Sequence, residues 1–96
     1  MDDTVIEVYG KQGCGKCTGV RAKIEIYLQR LGREDIKVVF YDSCTSTGFA
    51  EFLLRDINLN KAVSVIFRKS GEETIRLEGR VPSSDEIQKG LDLLLN

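Results

Sequence analysis

The sequence has 96 residues, of which 42% are hydrophobic and 30% charged, and its formal net charge is −1. This length and balance are typical of one globular domain with a modest core, so we expect a single domain over residues 1–96. A charge this close to zero gives no electrostatic footprint for a nucleic acid or an anionic membrane surface, and neither is expected as a partner.

The amino-terminal residues Met1-Asp2-Asp3-Thr4 are acidic, and no apolar stretch resembles a signal peptide or a membrane span. We therefore expect a cytoplasmic protein, in a compartment that keeps thiols reduced. The three cysteines are too few for a framework of structural disulfides. Two of them, Cys14 and Cys17, form a C-x-x-C pair. In this setting that spacing indicates redox chemistry or metal binding.

The first half of the chain predicts a strand, a helix and a second strand. Residues 5–9 are rich in β-branched and aromatic side chains, as in a strand. A glycine-rich connection over residues 10–15 leads to a helix from about residue 16 to residue 31, with Gly32 as its C-cap. Apolar residues recur along it at helical spacing: Val20, Ile24, Tyr27, Leu28 and Leu31. Residues 36–41 then form a near-continuous apolar strand, of the kind that is covered on both faces.

The second half predicts a helix, a hairpin and a last helix. A helix from about residue 47 to residue 57 places these side chains inward: Phe49, Phe52, Leu53 and Ile57. Two short strands, residues 62–68 and 73–78, are joined through Lys69-Ser70-Gly71-Glu72 and form a hairpin. Ser83 and Glu86 form a capping box for the last helix. The inward face of that helix is Ile87, Leu91 and Leu94.

The order β-α-β-α-β-β-α predicts an α/β fold with a four-stranded mixed sheet. A β-α-β unit at the start requires a parallel pair of strands with a right-handed crossover. The later hairpin adds an antiparallel pair, and the three helices cover the faces of the sheet.

The candidate chemistry lies in residues 10–18, Gly-Lys-Gln-Gly-Cys-Gly-Lys-Cys-Thr. If the first helix begins within two residues of Cys14, the free backbone N–H groups and the helix dipole favour a thiolate there. Lys11 and Lys16 add positive charge, so we expect the pKa of Cys14 to lie below the free value of ~8.5. Cys17 lies one turn further along the helix, close enough to form a disulfide with Cys14, and we expect it to be the more shielded of the two. We therefore predict that Cys14 attacks a substrate disulfide and that Cys17 resolves the mixed disulfide.

This motif resembles the active-site sequences of two related families. Lys11-Gln12-Gly13-Cys14-Gly15-Lys16-Cys17, between a strand and an amphipathic helix, is similar to the glutaredoxin opening K-P-G-C-P-Y-C and to the thioredoxin C-G-P-C. The predicted element order matches the compact glutaredoxin version of the thioredoxin-like fold over about residues 4–95. Val8 stands where thioredoxins usually carry a buried aspartate, which favours the glutaredoxin branch.

The resemblance implies a thiol–disulfide oxidoreductase that reduces protein disulfides or glutathione mixed disulfides. It implies glutathione or a reductase as the electron donor, a monomer, and no bound cofactor, with glutathione as a candidate co-substrate. It also implies that the third strand runs antiparallel to the first. The start of the third strand then lies beside the cysteine pair.

Glutaredoxins have a T-V-P motif with a cis proline before the third strand. This chain departs from that motif. Val63 fits the motif, whereas Ser64 replaces the proline. A non-proline cis bond costs ~3–4 kcal/mol, so we expect the Val63–Ser64 peptide to be trans. The predicted substrate-binding residues are Lys11, Lys16, Val63 and Ser64. By the resemblance, Lys11 would bind a glutathione carboxylate, Val63 would pair through its backbone, and Asp85 would be a further contact.

A nucleotide-binding loop is a competing interpretation of the same residues. Gly10, Gly15 and Lys16, followed by Cys17, nearly match G-x-x-x-x-G-K-[ST], and residues 38–42 imitate the metal-holding strand of such proteins. Cysteine is a poor magnesium ligand where a hydroxyl is required. Only one more β-α unit follows before the hairpin, which is too little for a nucleotide domain. We instead expect Gly10 to serve turn geometry alone.

The cysteine pair is also compatible with a metal site, or with a partner-binding module that has no chemistry. C-x-x-C is half of a zinc site, and Cys14, Cys17 and Cys44 with Asp42 would supply four ligands, although the sequence has no histidine. The resemblance to glutaredoxins, some of which share an iron–sulfur cluster across a dimer, implies a second form of metal site, with Cys14 and Cys17 as its ligands. Cys44 follows the second strand and is expected at the same end of the sheet as Cys14. It is either a third redox thiol or a cysteine without a role.

Overall fold

The computed structural model describes residues 4–11, 13, 15–59 and 63–95. Within these ranges the strands and helices follow the predicted order. They are β1 Thr4–Gly10, α1 Gly15–Arg30, β2 Lys37–Asp42, α2 Ser46–Leu54, β3 Ser64–Lys69, β4 Glu72–Leu77 and α3 Ser84–Leu95. Ala62, predicted as the first residue of the third strand, lies outside the described residues.

The four strands form one mixed sheet in the order β2-β1-β3-β4. β1 pairs with β2 in parallel, with Gly10 opposite Asp42 at its end. β1 pairs with β3 in the antiparallel direction, with Tyr9 opposite Ser64, and β3 pairs with β4 as the predicted hairpin. The last residues of β1 and β2 therefore meet the first residue of β3. We call this end, marked by Gly10, Asp42 and Ser64, the loop end of the sheet.

Helices α1 and α3 pack on one face of the sheet, which we call the α1–α3 face. Its buried core draws on β1 and β3 (Ile6, Val8, Val65, Phe67), on α1 (Val20, Ile24, Leu28) and on α3 (Ile87, Leu91, Leu94). The predicted inward residues of α3 are thus confirmed. Along α1 the prediction holds except for Leu31, which is 51% exposed because it follows the end of the helix.

Helix α2 packs on the opposite face, the α2 face, over a smaller buried group: Tyr9, Phe52, Ile57 and Ile66. The predicted burial of Phe52 and Ile57 is confirmed. Phe49 and Leu53 are 43% and 61% exposed, so the prediction that they point inward is wrong. Gly48 and Phe52, four residues apart, share the side of α2 that is buried. Phe49 and Leu53 lie on the next side, because each residue turns the helix by about 100°.

The strand β2 is an edge strand, and this limits its burial. It pairs only with β1, and its apolar residues, Val38, Val39, Phe40 and Tyr41, are all half-buried. The prediction of a strand covered on both faces is confirmed, since Val38 and Phe40 pack against the core of the α1–α3 face and Tyr41 packs against the core of the α2 face. Their burial is partial because β2 has a neighbouring strand on one side only.

The helix ends and the hairpin turn follow the local signals in the sequence. Gly32 takes φ +68° after α1, and its N–H and that of the next residue bond back to carbonyls of α1. Ser83 and Glu86 exchange the two hydrogen bonds of a capping box, at 3.0 and 3.2 Å. Ser70 and Gly71 both take positive φ, as a two-residue type I′ turn requires. None of the helices in the described part of the chain is long and apolar enough to cross a membrane.

Candidate functional site

The predicted C-x-x-C pair lies where β1 leads into α1. Helix α1 begins at Gly15, the residue that follows Cys14 in the sequence. Cys14 itself, the predicted nucleophile, lies outside the described residues. Cys17 is the third residue of α1 and is 2% exposed, as expected for the more shielded cysteine of the pair. The first turn of α1 therefore holds a buried sulfur close to a helix N-terminus.

The side chain of Cys17 packs against Gly10, the last residue of β1. A Cβ built at Gly10 would lie 2.4 Å from Cys17 Sγ, 2.9 Å from Cys17 Cβ and 3.3 Å from Phe40 Cε1. Gly10 does not take a left-handed φ. The prediction that Gly10 serves turn geometry alone is therefore wrong. A glycine is required because the cysteine of α1 occupies the space that a side chain would fill.

The loop after β2 closes the site on the other side of Gly10. The Ser43 N–H donates to the Gly10 carbonyl at 2.9 Å. The next residue, Cys44, is exposed, and its N–H donates to Asp42 Oδ1 at 2.8 Å. Cys44 thus lies at the loop end of the sheet, as predicted. No disulfide links the two cysteines that the structure describes, Cys17 and Cys44.

The start of β3 lies at the same end of the sheet. Val63 and Ser64 are both fully buried, and the peptide between them is trans, as predicted. Ser64 pairs with Tyr9, and its hydroxyl oxygen accepts a hydrogen bond from the Gly79 N–H at 3.1 Å. The hydroxyl that replaces the family's proline is therefore engaged inside the fold. The substrate-binding roles of Val63 and Ser64 stay predictions.

The predicted cationic residues flank the loop. Lys11 follows β1 directly, Lys16 is the second residue of α1, and both are exposed. Asp85 is exposed in the first turn of α3. Because both lysine side chains are exposed, an anionic group of a substrate could reach them. Their role in binding a substrate stays a prediction.

A buried ionic cluster on the α2 face was not predicted from the sequence. Glu7 is 4% exposed in the middle of β1, and its Oε1 accepts a hydrogen bond from the Tyr9 hydroxyl at 2.9 Å. The Nε atoms of Arg55 and Arg68 each lie 3.9 Å from the same oxygen. Burial, and then the bond to Glu7, raise the pKa of Tyr9. The available signal was a charged residue at the centre of an otherwise apolar strand.

The residues suggested for a metal site are only partly described. Among the described residues, no three acidic or cysteine side chains come together in a group that would hold a metal ion. The four-ligand set suggested from the sequence includes Cys14, which lies outside these residues. The metal site therefore stays a prediction.

Neither a protein-family model nor a curated protein matches the sequence. Solved structures do match the fold. Thioredoxin O2 from Arabidopsis thaliana, in its oxidised state, has a TM-score of 0.75 and 12% identity, over 97% of this chain and 76% of that one. Chlamydomonas reinhardtii thioredoxin f2 has a TM-score of 0.65 and 16% identity, over 98% and 78%. Plasmodium falciparum thioredoxin has a TM-score of 0.64 and 17% identity, over 94% and 81%. At these identities the likeness shows the fold alone, and this chain has a thioredoxin-like fold.

Proposed function

We propose that this protein is a thiol–disulfide oxidoreductase in which Cys14 attacks the substrate and Cys17 resolves the intermediate. The observation that carries the proposal is the position of Cys17. It is a buried sulfur in the first turn of α1, three residues after a second cysteine and against the last residue of β1. The thioredoxin-like fold supports the same class of reaction.

The proposed reaction transfers two electrons from the protein to the substrate. The Cys14 thiolate attacks one sulfur of a disulfide R–S–S–R′, and R′S⁻ leaves and takes up a proton. Cys17 gives its proton to solvent, and its sulfur attacks Cys14 Sγ. The bond from Cys14 to the substrate sulfur breaks, RS⁻ leaves, and a Cys14–Cys17 disulfide remains. A thiol donor, either glutathione or the dithiol of a reductase, then reduces that disulfide.

The surroundings of the two cysteines suit these different roles. Because α1 begins at Gly15, its first N–H groups have no carbonyl partner in the helix, and Cys14 precedes them in the sequence. These groups and the exposed charges of Lys11 and Lys16 favour a thiolate at that position. The burial of Cys17 shields it from outside thiols and oxidants. Its reaction is then directed to the mixed disulfide on its neighbour.

The finer assignments follow the resemblance of the motif. We propose protein disulfides or glutathione mixed disulfides as substrates, Lys11, Lys16, Val63 and Ser64 as the residues that contact them, and the glutaredoxin branch of the fold. We also propose that the protein acts in the cytoplasm as a monomer without a bound cofactor. Assays with glutathione in one arm and with a thioredoxin reductase in the other would identify the electron donor.

The first test separates the two cysteines. Cys14→Ser should abolish disulfide reduction, because the attacking thiolate is removed. Cys17→Ser should trap a mixed disulfide on Cys14, and mass spectrometry would detect its added mass. Cys44→Ser is the matched control and should keep full activity. Equal behaviour of the Cys14 and Cys17 variants would contradict the assigned roles.

A further inference from the structure

We infer that Gly10 is a positioning residue for the resolving thiol, because the space left by its missing side chain fixes where Cys17 lies. This inference rests on the proposed function. Two atoms of Cys17 fall within 3 Å of the Cβ that any other residue would place there, Sγ at 2.4 Å and Cβ at 2.9 Å. Ordinary van der Waals contact begins at 3.4 Å, so the sulfur would have to move by about 1 Å.

The backbone of Gly10 is held on several sides and is not free to move away. β1 is an inner strand, and Gly10 pairs with Asp42 of β2. The Gly10 carbonyl accepts the Ser43 N–H, and the preceding residue, Tyr9, pairs with Ser64 of β3. A side chain at position 10 is therefore expected to displace Cys17 and not the strand.

Rotation of the cysteine side chain alone cannot remove the overlap. Cys17 Cβ is itself too close to a residue-10 Cβ, and its position is set by the backbone of α1. Phe40, at 3.3 Å, limits movement of a new side chain in a third direction. The first turn of α1 would have to shift as a unit, which would take the Cys17 sulfur away from its place over β1.

Two other crowded glycines show why Gly10 is different. A Cβ at Gly48 would meet backbone atoms of Asp42, as close as 1.9 Å, and a Cβ at Gly90 would meet the ring of Phe67 at 2.7–2.9 Å. Both glycines bring a helix close to the sheet. Gly10 instead brings a strand close to a sulfur of the proposed reaction, so a substitution there should change the resolving step.

The consequence concerns the second step of the reaction more than the first. Attack on a disulfide requires the incoming sulfur to be aligned with the bond that breaks. A displacement of about 1 Å at a reacting group lowers a rate by up to about 100-fold. Gly10→Ala is therefore expected to form the mixed disulfide normally and to resolve it about 10- to 100-fold more slowly.

The test uses the full chain and the aryl disulfide of thionitrobenzoate, which releases one coloured thiolate on attack and a second on resolution. All proteins carry Cys44→Ser, so that this exposed thiol does not react with the reagent. The reference protein should release both thiolates in two phases. Gly10→Ala should release the first at the reference rate and the second about 10- to 100-fold more slowly.

Gly90→Ala is the matched control, since it is equally crowded but meets Phe67 under α3. It should lower the melting temperature and leave the ratio of the two phases unchanged. Equal slowing of the second phase in both glycine variants, or no slowing in Gly10→Ala, overturns the inference. Absence of a second phase in the reference protein overturns the proposed function instead, so the two failures are distinguishable.

A second measurement does not depend on activity or on the folding of Gly10→Ala. Cys17→Ala removes the sulfur, which makes the closest contact at 2.4 Å, and keeps the Cβ at 2.9 Å. Adding it to Gly10→Ala should therefore restore part of the decrease in melting temperature that Gly10→Ala causes. A double variant that folds where Gly10→Ala does not would support the inference in the same way. No gain in folding or melting temperature from Cys17→Ala would show that the crowding lies elsewhere, and the inference would fail.

Discussion

The two faces of β1 carry side chains of opposite character. Toward α1 and α3 the strand presents Ile6, Val8 and then Gly10, which are buried and apolar and leave space for a cysteine. Toward α2 it presents Glu7 and Tyr9, which are equally buried but joined by a hydrogen bond. One strand thus separates an apolar surface, on which the cysteine of α1 rests, from a buried ionic cluster.

The two faces differ in what their buried side chains require. Those that β1 presents to α1 are apolar and require only close packing. The buried charge of Glu7 lies on the other face, where Tyr9, Arg55 and Arg68 offset part of its cost of burial. The comparison teaches that the α2 face depends on polar contacts to one buried carboxylate, whereas the α1–α3 face depends on shape.

The largest loss of stability is expected from removing the buried carboxylate of Glu7 on the α2 face. Glu7→Ala leaves the Tyr9 hydroxyl without its acceptor and the Arg55 and Arg68 guanidinium groups without the carboxylate that they face, which should lower the free energy of unfolding by about 3 kcal/mol. Urea denaturation would measure it. Glu73→Ala is the control, because Glu73 pairs with Arg76 at 2.8 Å but is exposed, and it should cost under about 1 kcal/mol. Similar losses in the two variants would show that the cluster is no more than a surface ion pair.

A smaller effect is expected at Ser64, on the α2 face at the loop end. Ser64→Ala removes the acceptor of the half-buried Gly79 N–H, which should lower the free energy of unfolding by about 1 kcal/mol. Hydrogen–deuterium exchange should show faster exchange of the Gly79 amide in this variant. Ser46→Ala, at the exposed start of α2, should leave that amide unchanged. An unchanged Gly79 amide in Ser64→Ala would mean that the hydroxyl does not hold this loop.

The smallest effect on stability is expected at low pH, from protonation of Glu86 on α3, a helix of the α1–α3 face. The Arg80 guanidinium, followed by the Ser83 N–H, lowers the pKa of Glu86 from 4.5 to about 2. The pKa of Glu86 is lower in the folded protein than in the unfolded chain. The contribution of this carboxylate to stability is therefore complete above about pH 4.5 and is lost as the pH falls toward 2. Thermal melts across this range should show a steeper decline in the wild type than in Glu86→Gln. Parallel curves would contradict the assignment.

The parts of the fold that were predictable from the sequence are those determined by local chemistry. Gly32, the Ser83–Glu86 box and the Ser70-Gly71 turn depend on a few neighbouring residues, and all appear as predicted. Phe49 shows the limit. In a short helix that is apolar on several sides, the choice of the buried side depends on the close approach of Gly48 to β2, which no periodicity reveals.

The candidate site divides in the same way. The spacing of Cys14 and Cys17 and the start of α1 were readable from a motif and a helix rule. The role of Gly10 was not, because it comes from an approach between β1 and α1 that exists only in three dimensions. Glu7 was missed because its arginine partners are distant in sequence, on α2's C-terminal side and on β3.

The inner position of β1 also bears on the order in which the protein folds. Helix α1 is built from local contacts, but Gly10 is fixed only when β1 is flanked by β2 and by β3, whose partner residues are far apart along the chain. Closing such long loops is slow compared with forming a helix. In a chain that has formed α1 but not the sheet, Cys17 would have no strand to cover it and should react with alkylating reagents. The time at which Cys17 becomes resistant to alkylation during refolding should therefore mark the completion of the sheet.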